Sequence, residues 1–197
     1  MTALLADEDQ VLRATQHWLD RAVIGLNLCP FAKAVRRKGQ IRFVVSPSRS
    51  RGALLAELAQ ELLLLHRSDA EQIDTTLLIH PRVLTRFADY NGFLDHANAL
   101  LQHLQLEGQL QIASFHPRYR FAGVSVRDPA HLSNRSPYPM LHLLREDSIA
   151  RAVQGEPEAE RIYERNIALL RQMGHDGWQR WMAVPSSPAT RQRRTKA

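Results

Sequence analysis

His80 and His116 each stand directly before a proline, in TTLLIHP and LQIASFHP, and Ser46 does the same in IRFVVSP. An imidazole can move a proton or ligate a metal near neutral pH. Two of them at equivalent strand ends could reach one ligand. They would serve as acid/base groups, or as ligands to a divalent ion such as zinc that activates water. The plain alternative is that X-Pro merely ends a strand, because the residue before proline is pushed to extended backbone. Proline explains the stop but not the repeated histidine. Cys29, the single cysteine, lies before Pro30 and near Lys33 and Arg36. A thiolate beside cations is a metal ligand, or a nucleophile with a histidine as its base. A lone cysteine packed in a core is inert. In SPYPMLHLLRE, His142, Arg145 and Glu146 recur at three- and four-residue spacing. On a helix that spacing gathers them on one face, where Glu146 would orient His142 and Arg145 would grip an anion. An ordinary solvated face is the competing reading. Arg118, Arg120 and Arg135 crowd the same region. Their planar forks suit phosphate or carboxylate. Ser136 reads as a helix N-cap with Pro137 in the first position, where free N–H groups favour an anion.

These residues need elements to position them. Apolar spacing predicts helices over 8–26, 51–67 and 84–106, the first closed by Asn27 and Pro30. Short β-branched or apolar runs ended by proline predict strands at 41–46, 74–81 and 110–117. FAGVSV at 121–126 is either a fourth strand or loop. The alternation of helix and strand predicts an α/β fold: a small, mainly parallel sheet of three or four strands flanked by helices. An α+β sheet with antiparallel members is the alternative. Ligands of parallel sheets bind beyond the carboxyl ends of the strands, which would bring Ser46, His80 and His116 to one edge. A loop of about twenty residues follows Pro117, long enough to suggest function. Further helices are expected from 136 to about 153 and from about 156 to 173. Residues 1–180 are read as one domain and 181–197 as a disordered basic tail.

Composition narrows the function classes. With 197 residues and 44% apolar content, the chain can bury one core. It has no apolar run long enough to span a bilayer and no basic, apolar leader. One cysteine allows no internal disulfide and no CxxC pair. A cytoplasmic, membrane-free protein is expected. The net charge is +6, but Arg191, Arg193, Arg194 and Lys196 concentrate much of it in the tail. A second cluster holds Lys33, Arg36, Arg37 and Lys38. Without interleaved aromatic strands, these clusters make nucleic acid an unfavoured partner. No GxSxG, P-loop, GxGxxG or HExxH motif is present.

The segments WLDRAVIGLNLCPFAKAV, FHPRYRFAG and NRSPYPMLHLLRE resemble the signature segments of domain of unknown function family 1415, mostly proteobacterial soluble proteins. The resemblance spans roughly residues 8–175 and implies no particular reaction. The signature segments hold Cys29, His116, Asn134, Arg135, Ser136, Tyr138, His142, Arg145 and Glu146, which the resemblance marks as site positions. The expected function is an enzyme acting on a small phosphate- or carboxylate-bearing molecule. Cys29, His80, His116, His142 and Glu146 would do the chemistry. Arg118, Arg120, Asn134, Arg135, Ser136, Tyr138 and Arg145 would hold the substrate, and His80 and His116 would take any metal. The alternatives are a small-anion binding module without turnover, and a nucleic-acid binder acting through the basic clusters.

Overall fold

A computed structural model describes residues 7–154 and 161–183. Helix α1 (Glu8–Trp18) continues into a π-helical segment, Leu19–Ile24, and the chain turns at Asn27, whose φ of 53° is left-handed. The sequence marks this stop with asparagine, which tolerates that conformation. A short helix α2 (Ala32–Arg37) follows, then strand β1 (Ile41–Val45). Helix α3 (Arg51–Arg67) is started by Ser50, whose hydroxyl accepts from the Ala53 amide at 3.2 Å. Strand β2 (Thr75–Ile79), helix α4 (Phe87–His103) and strand β3 (Leu110–Phe115) complete the alternating region.

The order of the sheet is β1-β2-β4-β3, where β4 is Met140–Arg145. β1 pairs with β2 in parallel, whereas β4 is antiparallel to both β2 and β3. The fold is therefore α+β with a mixed sheet, and the mainly parallel arrangement is corrected. The reason is local. Met140–Arg145 was expected to be helical, yet it is a strand buried from both sides. Such a strand shows a continuous apolar run rather than alternation, which periodicity cannot tell from a buried helix. Pro137 and Pro139 tip the segment to extended backbone. Ser136 does not cap a helix; its hydroxyl donates to the Tyr138 carbonyl at 2.6 Å. The FAGVSV segment is loop.

Strand register sets two faces. Ile41, Phe43, Leu77, Ile79, Met140, His142, Ala113 and Phe115 share one face and meet α1 and its π-helical extension through Trp18, Leu19 and Val23. Val44, Leu78, Leu141, Leu143 and Ile112 share the other and meet α3 and α4. Arg42 on this second face ties β1 to α3 by a fork onto buried Glu61, with bonds of 2.8 and 3.0 Å.

After β4 come α5 (Glu146–Gln154) and α6 (Ile162–Met182). α6 bends at Gly174, whose φ is 64°. It is fastened to the body by Asn166 on the Leu28 carbonyl (2.7 Å) and Arg171 on Asp128 (2.8 Å). Residues 184–197, most of the expected tail, lie outside the described residues, as do 155–160; the chain at 181 and 182 is still helix α6.

Candidate functional site

Three groups of the expected site residues separate in space. The first is at the carboxyl edge of β1, β2 and β3, where Ser46, His80 and His116 emerge together as anticipated. The histidines are fully buried there and bind backbone. His80 Nδ1 bonds the Val83 carbonyl at 3.0 Å, so this nitrogen carries the proton. Its Nε2 is buried without a partner. The Arg118 amide donates to His116 Nδ1 at 2.9 Å, which leaves Nε2–H to donate to the Leu84 carbonyl at 3.2 Å. Both rings thus hold the turn that leads to Leu84, whose φ of 57° is left-handed. Tyr90 of α4 lies between them, 5.8 Å from His80 and 5.1 Å from His116. Its hydroxyl donates to the Met140 carbonyl at 2.8 Å and accepts from the Phe115 amide at 3.0 Å, closing the β3–β4 end. The repeated histidine before proline is thereby explained as a device that secures the strand exits. His116 keeps no lone pair for a metal in this arrangement. Among the described residues no three His, Cys, Asp or Glu side chains are grouped to hold a metal ion.

The second group is the loop after β3. Asn134 accepts the His116 amide on its carbonyl at 3.1 Å, and its side chain donates to the Ser114 carbonyl at 3.1 Å. Arg135 Nε donates to the Tyr119 carbonyl at 3.4 Å. His131, given no role from the sequence, organises the loop. It accepts the Phe121 amide at 3.2 Å and bonds the Ser125 carbonyl at 2.9 Å, wholly buried. Its position inside a short 3-10 turn after Asp128-Pro129 was its one sequence signal.

The third group faces α1. Here β-strand alternation overrides the helical spacing expected for 142–146. His142 projects to the α1 face, whereas Arg145 projects to the α3 face, and Glu146 opens α5. Glu146 therefore does not share a helical face with His142. Arg145 spends its guanidinium on three carbonyls of the α3 end and the following turn. His142 instead enters a cavity of about 640 Å³ between the sheet, α2 and α5, in a size range typical of small-ligand sites. Cys29, Thr75 and Asp74 line the same cavity, as do apolar Trp18, Phe31, Ile41 and Ile149. Tyr138 packs in the core on this face.

Two bonds fix the state of His142. Thr75 Oγ1 donates its one proton to the Leu143 carbonyl at 2.6 Å. The 2.7 Å contact between Thr75 Oγ1 and His142 Nε2 must then be donated by the imidazole. Nδ1 is left with its lone pair and no hydrogen-bond partner among the described residues. Burial pushes the ring down to about 4, so it is neutral at physiological pH. Burial pushes the Cys29 thiol up, and the Phe31 and Ala32 amides pull the other way more weakly. Cys29 is consequently a thiol. Iodoacetamide at about pH 7.5 should modify it roughly tenfold more slowly than free glutathione, measured by intact mass. A rate equal to that of glutathione would show that the thiol is not held as described.

The cavity rim carries both signs. Lys38 pairs with Glu71 at 3.6 Å, and Ser148 donates to Asp74 at 2.5 Å and accepts from Arg151 at 2.9 Å. The basic cluster at 33–38 is partly neutralised, since Arg36 forks onto Asp20 with two bonds of 2.9 Å. Among the described residues no helix is long and apolar enough to cross a membrane. No curated protein and no solved structure matches the chain. A family model described as Protein of unknown function (DUF1415) matches residues 10–180, which cover the sheet, the cavity and the strand-edge turns alike, and the chain belongs to that family.

Proposed function

We propose that the protein recognises a small, largely apolar molecule in the cavity beneath β4, through a hydrogen bond from that molecule to His142 Nδ1. The carrying observation is the unpaired lone pair of a ring whose orientation and tautomer Thr75 sets. Nδ1 faces the cavity with its lone pair free, and a donor on the ligand would add a hydrogen bond in a setting walled by apolar groups. The apolar walls supply burial for the rest of the ligand. An anionic substrate has less support here, because the loop arginines lie at the other end of the sheet and the cations that line the cavity are already engaged, Lys38 by Glu71, Arg151 by Ser148 and Arg145 by the α3-end carbonyls.

The enzyme reading rests on Cys29 and His142 lining one cavity. Both start neutral, with the proton on sulfur. Turnover by attack of sulfur would require His142 to take that proton as substrate excludes water. A thermal-shift screen of uncharged and anionic aromatic fragments tests both levels. Cavity ligands should lose roughly tenfold in affinity, about 1.4 kcal/mol, in His142→Phe, and Arg118→Ala should leave them unchanged. Hits indifferent to His142→Phe would sink the reading. Cys29→Ser should preserve binding and abolish any turnover found among the hits.

A further inference from the structure

The three strands that run in one direction each deliver an arginine to the same edge. β1 is followed by Ser46-Pro47-Ser48-Arg49, β2 by His80-Pro81-Arg82 and β3 by His116-Pro117-Arg118. Neighbouring strands lie about 4.8 Å apart, so the row from β1 to β3 spans about 14 Å. Arg120 extends it. Arg49, Arg82, Arg118 and Arg120 are exposed, and none forms an ion pair among the described residues. Arg135 lies behind them, half-buried, with Arg120 close enough to disfavour its charge further. The helices that follow β1 and β2 carry Glu57 on α3 and Asp89 on α4. Asp89 is shared by Arg51 at 3.0 Å and Arg86 at 3.8 Å, and Glu57 is bound by the Ser46 and Ser48 hydroxyls. Neither pairs with the arginine row among the described residues, although Glu57, bound by neutral hydroxyls, keeps its charge.

Crowding like charges without counter-charge is unfavourable unless an anion meets them. We infer that this edge binds the phosphate backbone of a nucleic-acid strand. A strand sets its phosphates in a regular row, so an edge of about 14 Å meets several of them, where a lone phosphate would meet one arginine or two. Arginine rather than lysine suits this, because each fork can take two oxygens of one phosphate. Tyr119 and Phe121 alternate with Arg118 and Arg120; their rings, 5.1 Å apart, pack on Phe87 and His131 and stay partly exposed. Aromatic faces beside a basic track are what single strands stack on, and inorganic polyphosphate has no use for them. The surface is distinct from the clusters at 33–38 and 191–196. It also lies away from the cavity, which is lined from the other end of the strands by Ile41, Thr75 and Arg145, so its failure would leave the cavity reading untouched.

The test is fluorescence anisotropy of a labelled single-stranded oligothymidylate with the full chain. The variant Arg82→Ala/Arg118→Ala/Arg120→Ala should weaken binding at least tenfold at about 0.1 M salt. It should also flatten the slope of log K against log salt by about 2, at roughly 0.7 per phosphate contact. Circular dichroism should show its fold and melting unchanged, since all three side chains are exposed. A second variant replaces Arg191, Arg193, Arg194 and Lys196 with alanine and should keep most of the affinity. The inference is overturned if wild type does not bind, if only the tail variant loses binding, or if inorganic polyphosphate binds and the oligonucleotide does not.

Discussion

Acidification from pH 7 to pH 4 should remove on the order of 5 kcal/mol of stability, nearly all of it below about pH 6.5. Burial pushes both His80 and His142 down to about 4. In the unfolded chain each returns to about 6.5. Between those values the unfolded state binds protons that the folded state refuses, so stability falls as pH falls and recovers as pH rises. One unit of difference is about 1.4 kcal/mol per group, and His116, also lowered by burial, acts in the same direction. Domains of this size have about 5–15 kcal/mol in total, so the fold should be marginal or lost near pH 4. Arg171 holds the Asp128 carboxyl down at about 2, and this group acts only at lower pH, below the ordinary carboxylate range. Urea midpoints at several pH values between 4.5 and 7.5 give the curve. His142→Phe should flatten it by about half, because Thr75 keeps its bond to Leu143 and the neutral ring needs no proton accounting. An unchanged slope in that variant would mean that His142 titrates normally and that its cavity is wet.

What the sequence disclosed follows from which forces are local. β1, β2 and β3 were legible because each is a short apolar run stopped by X-Pro, and α3 and α4 because their apolar residues recur at helical spacing. The meeting of Ser46, His80 and His116 at one edge followed from the common direction of those strands. What stayed hidden was β4. A strand covered on both faces has no polar alternation, and Met140–Arg145 offers leucine at positions that serve a helix equally well. That one misreading turned a parallel sheet into the expectation and placed His142, Arg145 and Glu146 together. On a strand, residues three apart face opposite sides. The cavity had no local signal. It arises where α2 and α5 flank the sheet, and only tertiary packing brings Cys29 to the same space as His142. The histidines at the strand ends were visible, but their role was not, because it depends on carbonyls of the turn at Val83 and Leu84.

Arg145→Ala should cost about 2–4 kcal/mol and leave any cavity ligand bound with near-normal affinity in the folded fraction. Its guanidinium reaches the Leu65 carbonyl at 2.5 Å, Ser68 at 2.6 Å and Ile73 at 3.1 and 3.3 Å. Leu65 and Ser68 belong to the closing end of α3, where the Leu65 carbonyl also meets the Ser68 amide at 3.2 Å, and Ile73 lies two residues ahead of β2. A cation there also opposes the negative end of the α3 dipole. Charged hydrogen bonds contribute about 1.5–3 kcal/mol each, but water would reach part of the vacated site, which sets the range expected. Arg145→Lys should recover a third of the loss or less, since an ammonium has neither the planar fork nor the second donor nitrogen by which Arg145 holds the Ile73 carbonyl from Nε as well. Urea titration of both variants decides the matter. A residue gripping an anion would behave in the opposite way. Its removal would spare or raise stability, by relieving unpaired charge, and would abolish ligand affinity. Stability unaffected by Arg145→Ala would therefore return this residue to the binding role its sequence context suggested, and a loss on the expected scale fixes it as the clasp that joins α3 to β4.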